Sequence, residues 1–293
     1  IQKLVALFGD EGGQGVAHGQ LDRLGAAAAH LAQHFRQVQQ ADVAAAAWEW
    51  ARLNGLKGGA AIATGAACLA VCVALWWGGA VERPLPLLWI AVALAWVLGG
   101  AVVLRRGVAG WPQLPLVLRW VIGISALCVA WLAMAQARRI GVNFLLSVMV
   151  LVWAADIFAY FFGRALGGKL TGGRKLAPAI SPGKSWEGVW GGMLGVLLVA
   201  AGWVYLDSAY QTGAASLYTR LYESGAVLLV LGAVFLSAMS VVGDLFESLV
   251  KRSAGMKDSS NLLPGHGGVL DRIDALLPTL PLAMMLVTLG QGA

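Results

Sequence analysis

NFLLSVMVLVWAADIFAYFF, residues 143–162, decides how the rest of the chain is read. A helix of about 20 apolar residues crosses the hydrocarbon core of a bilayer, and this run carries a single charged side chain, Asp156. Working outward, comparable apolar runs recur at 59–77, 86–104, 116–135, 186–206, 225–243 and 276–290. They predict an all-α fold, a polytopic transmembrane helical bundle of about seven to eight spans, with its chemistry in cytoplasmic loops. Composition agrees: 59% of the 293 residues are apolar, 12% are charged, and the mean hydropathy is +0.73. Soluble domains carry roughly 25% charged residues. Tryptophans near run ends (Trp76, Trp77, Trp89, Trp111, Trp186) suit interfacial anchoring. Pro278 and Pro281 predict a last span that is kinked or begins late.

The net charge of +6 does not point to nucleic acid, because the basic residues sit in loops between apolar runs, where they set topology and hold phosphates. Arg52 and Lys57, then Arg105, Arg106 and Arg119, then Arg164 to Lys184, then Lys251 to Arg272 alternate with loops poorer in bases. The long basic loops are therefore expected on the cytoplasmic side. Arg138 and Arg139 break the pattern, as a short, displaced or re-entrant loop would. Residues 1–47 read as an atypical, non-spanning N-terminal segment ahead of a membrane-embedded domain at 48–293. A helix over 21–40 would place His30 and His34 on one face, read as a solvated face rather than a metal pair. No cleavable signal peptide is visible there. Cys68, Cys72 and Cys128 lie inside apolar runs without a CxxC pair, and read as small packing residues rather than a disulfide framework or zinc site.

Polar residues beside a bilayer are costly and therefore informative, and they form two clusters. The first runs from Asp156 to SWEG at 185–188. Its basic, Gly- and Pro-broken loop offers Arg174, Lys175, Ser181 and Lys184 to phosphates. It is not a Walker A loop, since Pro178 stands where the first glycine is required. The plainer reading is a topology-setting loop with Asp156 as a helix–helix hydrogen-bond partner. The second cluster is GDLFESLVKRSAGMKDSSNLLPGHGGVLDRIDALLP, residues 243–278. Asp244 and Glu247 are three apart, as are Asp271 and Asp274, so each pair shares a helix face. A Pro-Gly-His-Gly-Gly turn separates them. Four carboxylates on two helix faces suit a hard divalent cation, and the neighbouring Lys and Arg suit a triphosphate. An ion-paired loop is the plainer alternative.

At these residues the chain resembles the phosphatidate cytidylyltransferase, or CDP-diacylglycerol synthase, family. The resemblance rests on Ser248, Lys251, Arg252, Lys257, Asp258, Pro264, His266, Gly267, Gly268, Asp271, Arg272 and Asp274, which match every fixed position of that family's signature. The run from Asp156 through SPGKSWEG and the AWEWARLNG segment at 47–55 resemble its other blocks. The likeness covers 44–290, and residues 1–43 lack the apolar span that the family carries there. It implies transfer of CMP from CTP to phosphatidate, with pyrophosphate released. It also implies Mg2+ held by Asp244 and Asp271, with Glu247 and Asp274 assisting. Lys251, Arg252, Asp258, His266 and Arg272 are implied as catalytic, and Arg174, Lys175, Ser181, Lys184, Ser248 and Lys257 as substrate-binding. The expected partners are CTP and phosphatidate, with no nucleic acid, and a homodimer is compatible. The expected location is a bacterial inner membrane, with the site on the cytoplasmic face. A CTP-dependent polyprenol or other lipid kinase, and a membrane transporter, are the competing readings.

Overall fold

The computed structural model describes residues 41–210 and 213–290, and the account that follows is of the unit Val43–Ala293. The expected segment at 1–47 and the helix at 21–40 fall almost wholly outside the described residues. Helix α1 covers 41–53. Seven helices long and apolar enough to cross a membrane are described. They are α2 (Gly59–Trp77), α3 (Pro86–Gly110), α4 (Leu116–Ile140), α5 (Val142–Leu166), α6 (Trp186–Tyr210), α8 (Ala226–Ser253), and the span Leu270–Gly290, made of the short α9 (Leu270–Ile273) and α10 (Leu276–Gly290). Between α6 and α8 lies α7 (Leu217–Glu223), and before α6 a small antiparallel pair, β1 (Lys175–Ala177) and β2 (Ser181–Ser185). The chain is an integral membrane protein of all-α class.

Most helices outrun their apolar stretches. α8 continues ten residues past the run ending at 243, because its polar tail stays in helical register. Pro278 lies in the first turn of α10, where no intrahelical donor is needed, and Pro281 lies inside the helix. The span 270–290 is the most buried of the seven and packs against α3, α4 and α8. α3 contains a π-helical turn at Ala95–Gly99 and a kink at Gly107 (φ +66°).

Two features fix the frame around the polar end. The first is the seam between α5 and α6. A Cβ on Gly188 or Gly192 would press into the carbonyls of Ala159 or Ala155. These glycines are four apart, as are the two alanines, so small faces let the backbones approach as in GxxxG packing. The second is an aromatic cluster. Trp50 of α1 stacks on Phe246 of α8 with centroids 6.0 Å apart, and Trp96 and Trp111 meet Phe246 edge-on at 5.5 Å. The indole N–H of Trp50 donates to the Arg119 carbonyl at 3.0 Å, and that of Trp111 to Asn54 Oδ1 at 3.0 Å. Buried indoles need such acceptors.

At the opposite end, Arg139 meets Glu82 at 3.3 Å, and Gln136 Nε2 donates to the carbonyls of Ala80 and Arg83 at 2.8 and 2.9 Å. The turn between α2 and α3 thus gives Arg139 its place without a re-entrant loop. α5 follows α4 after Gly141 alone.

Candidate active site

On α8, Asp244, Glu247, Ser248 and Lys251 fall at i, i+3, i+4 and i+7, one stripe of an α-helix. Chain direction brings the loops 167–185 and 254–269 to the same end of the bundle, where they meet that stripe. β2 carries Lys184 against Asp244, with Nζ 2.5 Å from Oδ2. Ser248 donates to the other oxygen of Asp244 at 3.2 Å. One turn further, the Lys251 ammonium lies between Glu247 and Asp271, 2.6 Å from Asp271 Oδ1. Both predicted clusters therefore converge.

Asp271 is also the organiser of the signature loop. Its Oδ2 accepts from the Ser259 N–H and hydroxyl, each at 2.9 Å, and from the Gly268 N–H at 2.7 Å. Its Oδ1 is the oxygen that meets Lys251. Asp274 accepts from the Ala275 N–H at 2.7 Å and lies within electrostatic reach of Asp244, Lys184 and Lys251. Arg272 donates twice to the His266 carbonyl, at 3.1 and 2.6 Å, closing the turn. The His266 ring is exposed, with Nδ1 3.0 Å from the Pro264 carbonyl. Gly267 sits at φ +79°, where a Cβ would also meet Asp271.

Two acids that sequence reasoning did not assign a role hold these loops. Glu49 of α1 is fully buried (0% exposed) and spans both ends of the signature loop. It accepts from the hydroxyls of Ser259 (3.0 Å) and Ser260 (2.6 Å) and from the N–H groups of Val269 (3.0 Å) and Leu270 (2.7 Å). The available signal was an acid set in an Ala- and Trp-rich run. Glu187, at the start of α6, does the same for the other loop. Its Oε1 accepts from the N–H groups of Gly168 (3.0 Å), Leu170 (3.3 Å) and Thr171 (3.0 Å) and from the Thr171 hydroxyl (2.7 Å).

Beside Lys184 and Asp244 opens a cavity of about 450 Å³, lined also by Asp156, Tyr160, Arg164 and Ser185. Asp156 is within electrostatic reach of Asp244 and Lys184, so it belongs to this site rather than to a plain helix–helix contact. Arg252 reaches across to the Ile180 carbonyl at 3.4 Å and ties the two loops together. Ser181 begins β2 and is half-buried, while Arg174 and Lys175 are exposed at the hairpin's other edge. Lys257 and Asp258 are exposed, and with Arg52 they line a smaller cavity of about 330 Å³.

The charges do not balance at this end of the bundle. Asp156, Asp244, Glu247, Asp271 and Asp274 stand against Lys184, Lys251 and the Arg164 guanidinium of the cavity wall. Both carboxylate oxygens of Glu247 are buried without a hydrogen-bond donor, Lys251 being their ionic neighbour. An acid surplus with an underserved buried carboxylate fits a hard divalent cation on oxygen ligands.

Residues 32–289 match the model of the cytidylyltransferase family. The chain is 42% identical over 259 residues to the phosphatidate cytidylyltransferase of Pseudomonas aeruginosa, covering 86% of this chain and 87% of that one. It is 48% identical over 141 residues to the enzyme of the same name from Haemophilus influenzae, covering 48% and 44%. Against that of Brucella melitensis it is 40% identical over 168 residues, covering 57% and 53%.

Proposed function

The chain belongs to the cytidylyltransferase family, and from that premise we propose that it transfers the cytidylyl group of CTP to phosphatidate, a membrane lipid, giving CDP-diacylglycerol for phospholipid synthesis. A phosphate oxygen of the lipid attacks the α-phosphorus of CTP. The new P–O bond forms as the bond to the β-bridging oxygen breaks, and pyrophosphate leaves. The attacking phosphate is already largely ionised near neutral pH, so no strong base is required.

The observation that carries the reading is the set of ion pairs Lys184–Asp244 and Glu247–Lys251–Asp271 at one end of the bundle, beside a cavity lined by Lys184, Arg164 and Ser185. Bringing two polyanions together makes positioning and charge neutralisation the main demands. Lys184, Arg174, Lys175 and Ser181 on the hairpin, and Ser248, Lys251, Arg252, Lys257 and Arg272 around the signature loop, supply cations and donors for the two substrates. Asp258 and His266 border them. Asp244 and Asp271, assisted by Glu247 and Asp274, would hold Mg2+. When bound, that ion would neutralise the triphosphate and the developing charge on its oxygens. The basic end faces the cytoplasm by the positive-inside rule, in the inner membrane of a bacterium.

The test is the fate of the label. Purified protein in phosphatidate-containing vesicles should move α-phosphate label from CTP into lipid and release pyrophosphate, and Asp244→Asn should abolish it. Transfer of γ-phosphate label would identify a lipid kinase instead. Solute flux independent of nucleotide would identify a transporter.

A further inference from the structure

Midway along α2 and α4, three thiols converge inside the bundle. Cys68 and Cys72 lie one turn apart on α2, and Cys128 faces them from the middle of α4. Their sulfurs lie within 4.8 Å of one another. Cys68 Sγ is 3.5 Å and Cys72 Sγ 4.0 Å from Cys128 Sγ. All three are buried, at 0%, 0% and 5% exposure. The sequence reading of these residues as small packing groups explains each one singly, but not their meeting at one point.

We propose that this trio is a binding site for a soft, monovalent metal ion, Cu(I). The geometry suits one ion at the centre. A metal–sulfur bond of about 2.3 Å places three sulfurs on one ion roughly 3.8–4.0 Å apart, close to the separations observed. The donor set selects the ion. Three sulfurs meet here, and among the described residues no histidine or carboxylate joins them. Structural zinc takes four ligands in a tetrahedron, whereas thiolate sulfur is the preferred partner of Cu(I), which accepts low coordination. Binding forms copper–sulfur bonds and releases the protons of the ligating thiols, with no change of oxidation state. The ion would also act as a rivet, because α2 packs along α4. The thiols sit on that seam with the Trp120–Thr64 hydrogen bond of 3.0 Å.

The experiment uses the full chain in detergent, reduced and under argon, titrated with Cu(I) against a chromogenic Cu(I) chelator. One ion per chain should be withdrawn from the chelator. Cys128→Ser should lose it, and Cys68→Ser or Cys72→Ser should weaken it by about tenfold or more. X-ray absorption on the unmutated protein needs no variant to fold, and should show sulfur neighbours only. Copper retained equally by the C68A/C72A/C128A protein, nitrogen or oxygen neighbours at the ion, or preference for zinc would each overturn the proposal. So would failure to compete for copper at all. Cytidylyl transfer by the triple variant should persist, so a failed titration leaves the proposed reaction untouched.

Discussion

Lys251 stands between two carboxylates, and its removal would strand Glu247 and leave Asp271 only its Ser259 and Gly268 donors. Lys251→Met should lower turnover at least a hundredfold and destabilise the fold by about 3–5 kcal/mol, the usual cost of stranding a buried charge. Steady-state kinetics and thermal unfolding in detergent read the two effects. Lys251→Arg keeps the charge, but its planar fork does not fit the gap between Glu247 and Asp271, so recovery should be partial. Glu49→Gln presents an amide N–H to donors that need an acceptor. The expected cost is about 1.5–3 kcal/mol of stability, read as a lower unfolding temperature, with kcat/KM reduced and the spans intact by circular dichroism. The stripe Asp244, Glu247, Ser248 and Lys251 was legible in the sequence because one helix carries it at fixed spacing. Glu49 was not, because its partners lie some 210 positions away, and spacing says nothing about contacts at that range. The pairing of Lys184 with Asp244 was hidden for the same reason.

At the level of elements, hydropathy located all seven crossing helices, since a bilayer makes apolar length a direct requirement. It missed their ends, where polar residues continue the helix beyond the lipid, and it missed the β1–β2 hairpin, whose strands are short and carry no alternating pattern. The α5–α6 seam offers a test of close approach. Gly192→Leu would drive a side chain into the Ala155 carbonyl. It should cost about 1–3 kcal/mol, seen as a lower unfolding temperature. Because the cavity is lined by both helices, the same change should raise KM for lipid more than it alters a variant such as Gly202→Leu, whose glycine has open space.

At the scale of the whole molecule, the crossing helix α8 puts the signature loop and the α7 region at opposite ends. Impermeant maleimide should label Lys257→Cys only from the cytoplasmic side of sealed vesicles, and Tyr222→Cys only from the other. The native cysteines, being buried, give little background. Reversed labelling would invert the proposed orientation. The Glu49 clamp bears on biogenesis as well. A ribosome makes α1 some 210 residues before the segment 259–270, so the carboxylate exists before any of its four donors. A chain arrested before that segment would hold an uncompensated acid where the complete fold has a lock, so closure of the bundle around α1 waits on donors that are synthesised some 210 residues later.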